Sequence, residues 1–504
     1  MRGNADVTAD VAVADVAVAD VAVVGAGPAG MAAAVEAAAA GLTVALVDAG
    51  ERPGGQYWRH GPHDEGPLAG QHGRRTFAAL RAGLVRTGTR TLFGHQVWLI
   101  ARDADRFTLH LRPTHDGRGP GTRTLTARSL ILCPGAYDRQ LPVPGWDLPG
   151  VMAAGGVQAL LKGSGTLAGR RAVVAGTGPF LLPVATGLAA AGAEIVMVCE
   201  ANPLRGWLRD PGGALREPAK AVEGAQYAAL LARHGIPYRT RTVVTEIRGE
   251  DRVRSVRIAP LDRDGRPRSG VRIEVDADLV ALGWGFTPSL ELPLMVGART
   301  RLDTDGSLVA VVDARQRADV PGGPGVYLAG EATGVGGAVL AVREGRLSGL
   351  AAAADLGRTI DEGRMRRLQR AIRRGRRFAA ALHTATPVPP GWTDWLDGST
   401  LICRCEEVTY GDLCHAAREL GAKDPRTLKM LARPGMGMCQ GRVCGFATAQ
   451  VAAALTGGSP STPSTSSPPS TPGTPSADDL LPLARRPLAT PVPLGEIAAL
   501  GEES

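Results

Sequence analysis

Aromatic residues are scarce in this chain of 504 residues, at 4% of the total. Its cores must therefore be Ala, Val and Leu packed against backbone rather than around rings. Long apolar runs are also missing. The stretch from Val11 to Val47 is broken by Asp15, Asp20 and Glu36 and by glycines where a turn is expected, which argues against a membrane span. The opening MRGNADVTAD has early acids and no apolar centre, so it does not read as a secretory signal. Before residue 400 the cysteines are Cys133 and Cys199, each standing singly, which removes the paired-cysteine chemistry of a disulfide reductase from that part of the chain. The seven cysteines are an odd number, and five of them fall between Cys403 and Cys444. That clustering argues for a metal site in a reducing compartment rather than a disulfide scaffold, and the cytoplasm is the expected location.

Acid is absent where base is densest. Between Arg364 and Arg377 lie eight arginines and no carboxylate, which equals the whole formal net charge of +8. GRMRRLQRAIRRGRRFAAAL reads as one helix with Met365, Leu368, Ile372 and Phe378 among the bases. A solvated face is the first reading, an acidic docking partner the second, and nucleic acid a distant third.

Glycine is abundant, at 67 residues, and most of it punctuates apolar segments as nucleotide-binding turns require. At roughly 150 residues per domain the length suggests about three folded units. ADVAV occurs three times from Ala9 to Val23, and only the last copy runs into a glycine turn. DVAVVGAGPAGMAAAVEAAAAGLTVALVDAG then reads as strand, turn, alanine-rich helix and a second strand ending in an acid. Gly25 allows the turn, Gly27 admits a pyrophosphate and Gly30 brings helix against strand; Pro28 opens the helix, and Asp48 is placed for ribose hydroxyls. ERPGGQYW follows, with Gly54 and Gly55 offering backbone amides and Gln56 a side-chain donor.

A second unit, GRRAVVAGTGPFLLPVATGLAAAGAEIVMVCEANP, repeats the design with Gly176, Gly178 and the strand-ending acid Glu200. Leu181 stands at the third glycine position with Pro183 just beyond, so the helix is expected to sit further from the strand. Glu200 would disfavour a 2′-phosphate. NADH, another nucleotide such as ATP or a second flavin (FMN), and an empty relic all remain open.

Near the C-terminus, Cys403-x-Cys405 and Cys439-x4-Cys444 supply two thiolate pairs, soft donors suited to an iron–sulfur cluster or, less well at this spacing, zinc. Gly435, Gly437 and Gly441 free the backbone around the second pair. Thr409 and Asp412 open a short helix that holds Cys414 as a packing residue, and Cys133 and Cys199 read as buried bystanders. The segment GGSPSTPSTSSPPSTPGTPS is a linker, and the apolar tail beyond it reads as a docking element.

These motifs, in order, resemble the two-dinucleotide-binding flavoproteins. By that resemblance the first site holds FAD: Val97 meets the adenine, Gly135 in ILCPGAYDRQLPVPG and ALGWGFTPS mark the crossovers between domains, and Gly330 and Glu331 in GVYLAGEATG close the flavin site, with Glu331 where Asp is usual. CRCEEVT and GMGMCQGRVCG resemble the bacterioferritin-associated ferredoxin-like 2Fe-2S domain. Together with the tail RPLATPVPLG, the whole resembles the FAD and iron–sulfur subunits of hydrogen cyanide synthase, octopine and nopaline oxidases and hydroxyproline dehydrogenases. The resemblance implies an electron relay beside an amino-acid-oxidase-like flavoprotein subunit, with a small ferredoxin-like subunit as a further partner. A self-sufficient NADH:acceptor reductase is the alternative.

The expected fold is α/β: two Rossmann-like domains in the disulfide-reductase arrangement, the second inserted in the first, plus a small helical 2Fe-2S domain. The boundaries read as a disordered extension 1–18, an FAD domain 19–153 and 300–385, a second nucleotide domain 154–299, a cluster domain 398–456, a linker 457–477 and a docking tail 478–504.

Overall fold

A computed structural model describes residues 16–63, 71–103, 105–114, 123–268, 270–321, 325–456 and 474–502. The first domain is built on β1 (Val16–Val24), whose parallel neighbours are β2 (Val44–Asp48) and β6 (Arg123–Leu132). With β3 (Arg90–Phe93), β4 (His95–Arg102) and β5 (Phe107–Pro113), the sheet order is β3-β2-β1-β6-β5-β4. β1 starts at Val16, inside the second ADVAV copy, so the extension is shorter than expected. The ten-residue β6 offers partners to Val16 and Ala17, at Thr124 and Leu125. Residues 1–15 lie outside the described residues.

On this sheet lies α1 (Pro28–Ala39), with α2 (Arg74–Arg86) beyond it. The aromatic deficit is met as composition demands: α1 is nearly all alanine and glycine on its buried faces. A short strand β7 (Ala136–Asp138) then leads into the second domain.

The second sheet comprises β8 (Val151–Ala153), β9 (Arg171–Gly176), β10 (Glu194–Glu200) and β11 (Tyr238–Thr240), then, past an antiparallel β12 (Thr242–Arg248), β13 (Ser255–Pro260) and β14 (Ile273–Asp276), β15 (Leu279–Gly283). Its order is β11-β10-β9-β15-β8, so the boundary falls before Val151 rather than after Ala153. Helices α3 (Ala154–Ser164), α4 (Leu181–Ala190), α5 (Pro211–Ala214) and α6 (Pro218–Arg233) accompany it.

β16 (Phe286–Pro288) pairs antiparallel with β7, which makes the double crossover between domains. After α7 (Glu291–Met295) and the hairpin β17 (Thr300–Leu302) and β18 (Leu308–Ala310), β19 (Val326–Leu328) rejoins the first sheet beside β6. α8 (Ala338–Asp355) packs along α1, and α9 (Glu362–Ala385) is the arginine-rich helix.

α9 is more than a solvated face. Met365, Ile372, Gly375 and Ala379 are buried, and Arg376 reaches inward to pair with the buried Glu344 at 2.6 Å. Arg364 pairs with Glu36, and Arg374 with Glu217.

The cysteine module follows: β20 (Leu401–Cys403), β21 (Val408–Thr409), α10 (Tyr410–Arg418), α11 (Pro425–Ala432) and α12 (Gly445–Thr456). Thr409 and Asp412 form the expected reciprocal capping box. This module shares a hydrophobic core with the second domain, where Trp284 and Trp395 meet.

The tail docks on its own chain. Ser476 caps α13 (Ala477–Ala484), so the linker ends one residue earlier than expected, and Leu480 and Leu483 are buried in the first domain's core. α14 (Leu494–Glu502) completes the described chain. Linker residues 457–473 lie outside the described residues. No helix among the described residues is long and apolar enough to cross a membrane.

Candidate flavin and cysteine sites

The first glycine turn is fixed by contact distances. A Cβ on Gly25, whose φ is +99°, would stand 2.2 Å from the Cys133 carbonyl oxygen. One on Gly30 would stand 1.6 Å from the Gly25 carbonyl oxygen. Gly27, in contrast, faces open space, and with Pro28 and Ala29 it lines a cavity of about 3800 Å3. α1 begins at Pro28, and its first intrahelical bond is Met31 N–H to Gly27 C=O, at 3.0 Å. The amides ahead of that bond and the helix dipole favour an anion at this end.

Asp48 closes the turn, accepting from the Ala26 amide and, at 2.7 Å, from the Gly50 amide. Burial raises its carboxyl above the ordinary aspartate range, against the pull of those two amides. Gly55 and Gln56 line the same cavity, and Gln56 Oε1 accepts from Arg59. Gly54 differs from expectation: it is buried and its amide donates to the Ala26 carbonyl at 2.8 Å. It serves the turn rather than offering an open donor.

Val97 lies on the cavity wall where β4 shifts register against β5, and Gly135, with φ +77°, lies on it at the crossover. Gly330 and Glu331 complete the wall. Glu331 accepts from the Gly336 and Gly337 amides at 3.0 and 3.1 Å, and burial pushes its carboxyl up to about 7.

Sequence reasoning missed what holds this segment. Glu344 accepts from the Gly330 amide at 2.9 Å, and Arg376 donates both to the Gly334 carbonyl and to Thr333 Oγ1. The signal was present in the helical spacing. Arg376 is four residues from Ile372 and three from Ala379, on the edge of the buried stripe.

The second glycine turn is organised differently. A Cβ on Gly176 would meet the Gly283 carbonyl oxygen at 1.8 Å, so that position also demands glycine. α4, however, starts only at Leu181, after a Pro179–Phe180 turn, whereas α1 starts directly after Gly27. Leu181 is fully buried, and it is Gly283 that gives it room: a Cβ there would lie 2.9 Å from a Leu181 methyl carbon.

Glu200 is buried and turned onto its own chain. It accepts from the amides of Gly178 and Asn202 at 2.7 and 2.9 Å, and burial pushes it up to about 7. Beyond the turn, Thr177 donates to the Thr386 carbonyl and Asn202 to the Pro387 carbonyl, so the end of α9 lies across it.

Cys133 and Cys199 are buried, and burial pushes the Cys199 thiol up to about 12. The four predicted ligand cysteines come together as two contacting pairs, Cys403 with Cys444 and Cys405 with Cys439. The Gly435 amide donates to Cys403 Sγ at 3.4 Å, and a Cβ on Gly437 would overlap the Cys405 Cβ at 2.4 Å. The thiol of Cys444, with the Gly435 amide, holds Cys403 down at about 5. Among the described residues no three or more His, Cys, Asp and Glu side chains stand together as a set that could hold a metal ion. Cys414 lies within α10 and is half-buried.

Residues 19–357 match the family model for pyridine nucleotide-disulphide oxidoreductases. The chain belongs to that family. As a family member it is an FAD-dependent oxidoreductase with the disulfide-reductase-like α/β fold. It is 34% identical to the A subunit of opine oxidase from Rhizobium meliloti (strain 1021) over 480 residues, covering 92% of this chain and 94% of that one. It is 31% identical to the HcnB subunit of hydrogen cyanide synthase from Pseudomonas aeruginosa over 422 residues, covering 80% of this chain and 86% of that one. L-proline dehydrogenase from P. horikoshii has the same fold, with a TM-score of 0.66 at 21% identity, covering 96% of this chain and 80% of that one.

Proposed function

We propose that this chain is the FAD- and 2Fe-2S-containing subunit that relays electrons in a heteromeric dehydrogenase of an amino acid, imino acid or opine. One observation carries the reading. The cavity lined by Gly27, Asp48 and Glu331 continues past Gly135 and Tyr137 to Arg442 and Val443, which lie between Cys439 and Cys444. The flavin site and the cysteine loop therefore open from one space.

Both donor sets suit these groups. At the first turn the open face at Gly27, the first-turn amides of α1 and the Asp48 carboxylate suit a pyrophosphate and a ribose. In the cysteine module, four soft sulfurs on two loops, with an amide aimed at one of them, suit a 2Fe-2S cluster better than zinc at this spacing. When bound, FAD supplies two-electron hydride chemistry and the cluster one-electron transport.

The chain's own part is positional. Gly25 and Gly30 let strand, turn and helix close on one another, Gly27 leaves room for the pyrophosphate, Asp48 orients the ribose, and Arg376 with Glu344 fixes the Gly330–Gly334 turn. Cys403, Cys405, Cys439 and Cys444 hold the cluster. Oxidation of the amine falls to a partner flavoprotein subunit resembling amino-acid oxidases, with a small ferredoxin-like subunit completing the complex. That both relatives, from opine oxidase and from hydrogen cyanide synthase, are named as subunits supports this division of labour.

The end of α9 lying across Gly178, where a Cβ would stand 3.4 Å from Thr386 Oγ1, weighs against a self-sufficient NADH reductase. The test is anaerobic bleaching of the flavin in purified protein. Reduction that waits for the partner flavoprotein plus an amino acid or opine supports the relay, whereas rapid bleaching by NADH alone overturns it. Mass spectrometry of small molecules released on denaturation would count the flavins and name any occupant of the second site.

A further inference from the structure

The tail returns to the molecule after a long Pro/Ser/Thr segment, and one of its residues goes further than packing. Arg486 donates from Nε and Nη2 to the same acceptor, the Gln440 carbonyl, at 2.9 and 2.6 Å. Gln440 directly follows Cys439 and has φ +53°, a left-handed conformation that costs a non-glycine residue free energy. Its own side chain braces the loop from within, donating to the carbonyls of Met436 and Gly437. From outside, Arg486 secures the carbonyl of the strained residue.

The remaining arm of Arg486 reaches a buried anchor. Its Nη1 lies 2.9 Å from Glu291 Oε1, and Arg442 Nε, from the same cysteine loop, lies 2.9 Å from that same oxygen. Tyr137 donates its hydroxyl to Glu291 Oε1 at 3.0 Å, and Ser289 donates to Oε2 at 2.8 Å. Tyr137 and Ser289 belong to the crossover, and both line the flavin cavity together with Glu291. Arg442 also donates to the carbonyl of tail residue Ala489, whose amide donates to the Trp98 carbonyl on β4. Two cations and two hydroxyls therefore converge on one buried carboxylate, joining three segments far apart in the chain.

We propose that Arg486 is a positioning residue: the C-terminal tail is an intramolecular clasp that sets the Cys439–Cys444 loop against the flavin crossover through the Gln440 carbonyl and Glu291. The tail thus acts on the cysteine site from within the chain. Only the spectroscopic arm of the test rests on the reading of these cysteines as cluster ligands.

The experiment uses the full-length chain with Arg486→Ala, Arg486→Lys and, as control, Arg485→Ala, whose side chain lies outside this network. In metal-chelated protein, alkylation of Cys439 by iodoacetamide, read by peptide mass spectrometry, should rise about tenfold or more in Arg486→Ala, the equivalent of one lost charge-assisted hydrogen bond. Arg486→Lys keeps a cation near Glu291 but loses the two-pronged grip on Gln440, so it should fall between. In reconstituted protein the same order should appear in the cluster's midpoint potential and EPR spectrum, with FAD content unchanged. Equal labelling in all three variants and the parent overturns the clasp, as does a Lys variant indistinguishable from the parent. Altered labelling with no cluster signal in any protein, the parent included, upholds the clasp and overturns the cluster reading instead. If Arg486→Ala does not accumulate, the comparison of Arg486→Lys with Arg485→Ala decides alone.

Discussion

Gly30→Ala adds a single methyl group where the structure has no space for one. The added carbon would stand 1.6 Å from the Gly25 carbonyl oxygen, so α1 would have to withdraw by about 2 Å to restore ordinary contact. Withdrawal is blocked from behind. α8 lies on α1 through Gly345 and Gly349, where a Cβ would already be 2.0 Å from the Ala29 carbonyl oxygen and 2.5 Å from that of Ala33. A helix held glycine-to-backbone on both sides cannot relax, so the cost should exceed ordinary overpacking and reach about 3 kcal/mol or more. The displacement also carries the amides of Gly27 and Ala29 away from where a pyrophosphate would sit. The expected result is a protein that loses most of its FAD on gel filtration and melts on the order of 5–10 °C lower. Thermal unfolding and the ratio of flavin to protein absorbance measure both. A Gly30→Ala protein that keeps stoichiometric FAD and the parent melting temperature would refute the claim that contact distance, rather than composition, dictates this glycine.

At the equivalent position of the second turn the opposite change should hurt. Leu181→Ala removes a fully buried side chain facing Gly283, so it should cost about 2–5 kcal/mol in urea unfolding while leaving FAD content unchanged. Glu200 should make stability depend on pH. Its carboxyl is raised from 4.5 to about 7, so between those values the folded chain binds more protons than the unfolded one, and stability falls as pH rises. The contribution lost is about 3 kcal/mol. In Glu200→Gln the decline between pH 4.5 and 7 should shrink by about that amount, and a slope like the parent's would count against the burial argument. Cys439→Ser should abolish the cluster's visible and EPR signals but leave FAD bound, and unchanged spectra would remove Cys439 from the ligand set.

What the sequence made legible, and what it hid, follows from the range of each interaction. The first nucleotide turn could be read because its determinants are local. Gly25, Gly27 and Gly30 act within six residues, and Asp48 lies one crossover away, so spacing alone carries the geometry. Gly54 was misjudged since an amide's partner, here the Ala26 carbonyl, leaves no mark on composition. Leu181 at a glycine position implied a helix held off its strand, yet the space came from Gly283, a residue about a hundred positions away whose role only the folded contact reveals. α9 shows the same limit within one helix: its apolar stripe was visible, but charge density masked that Arg376 belongs to the edge of that stripe and pairs inward with Glu344. The tail was least legible. Its apolar character pointed to docking, but the surface that receives it is assembled from β17, β18, α11 and α12, which no single stretch of sequence displays. Arg486 and Glu291 illustrate why. A buried ion pair is stable only when both charges and their remaining hydrogen bonds are satisfied together, so neither residue is distinguishable from a surface charge until Arg442, Tyr137 and Ser289 stand around them.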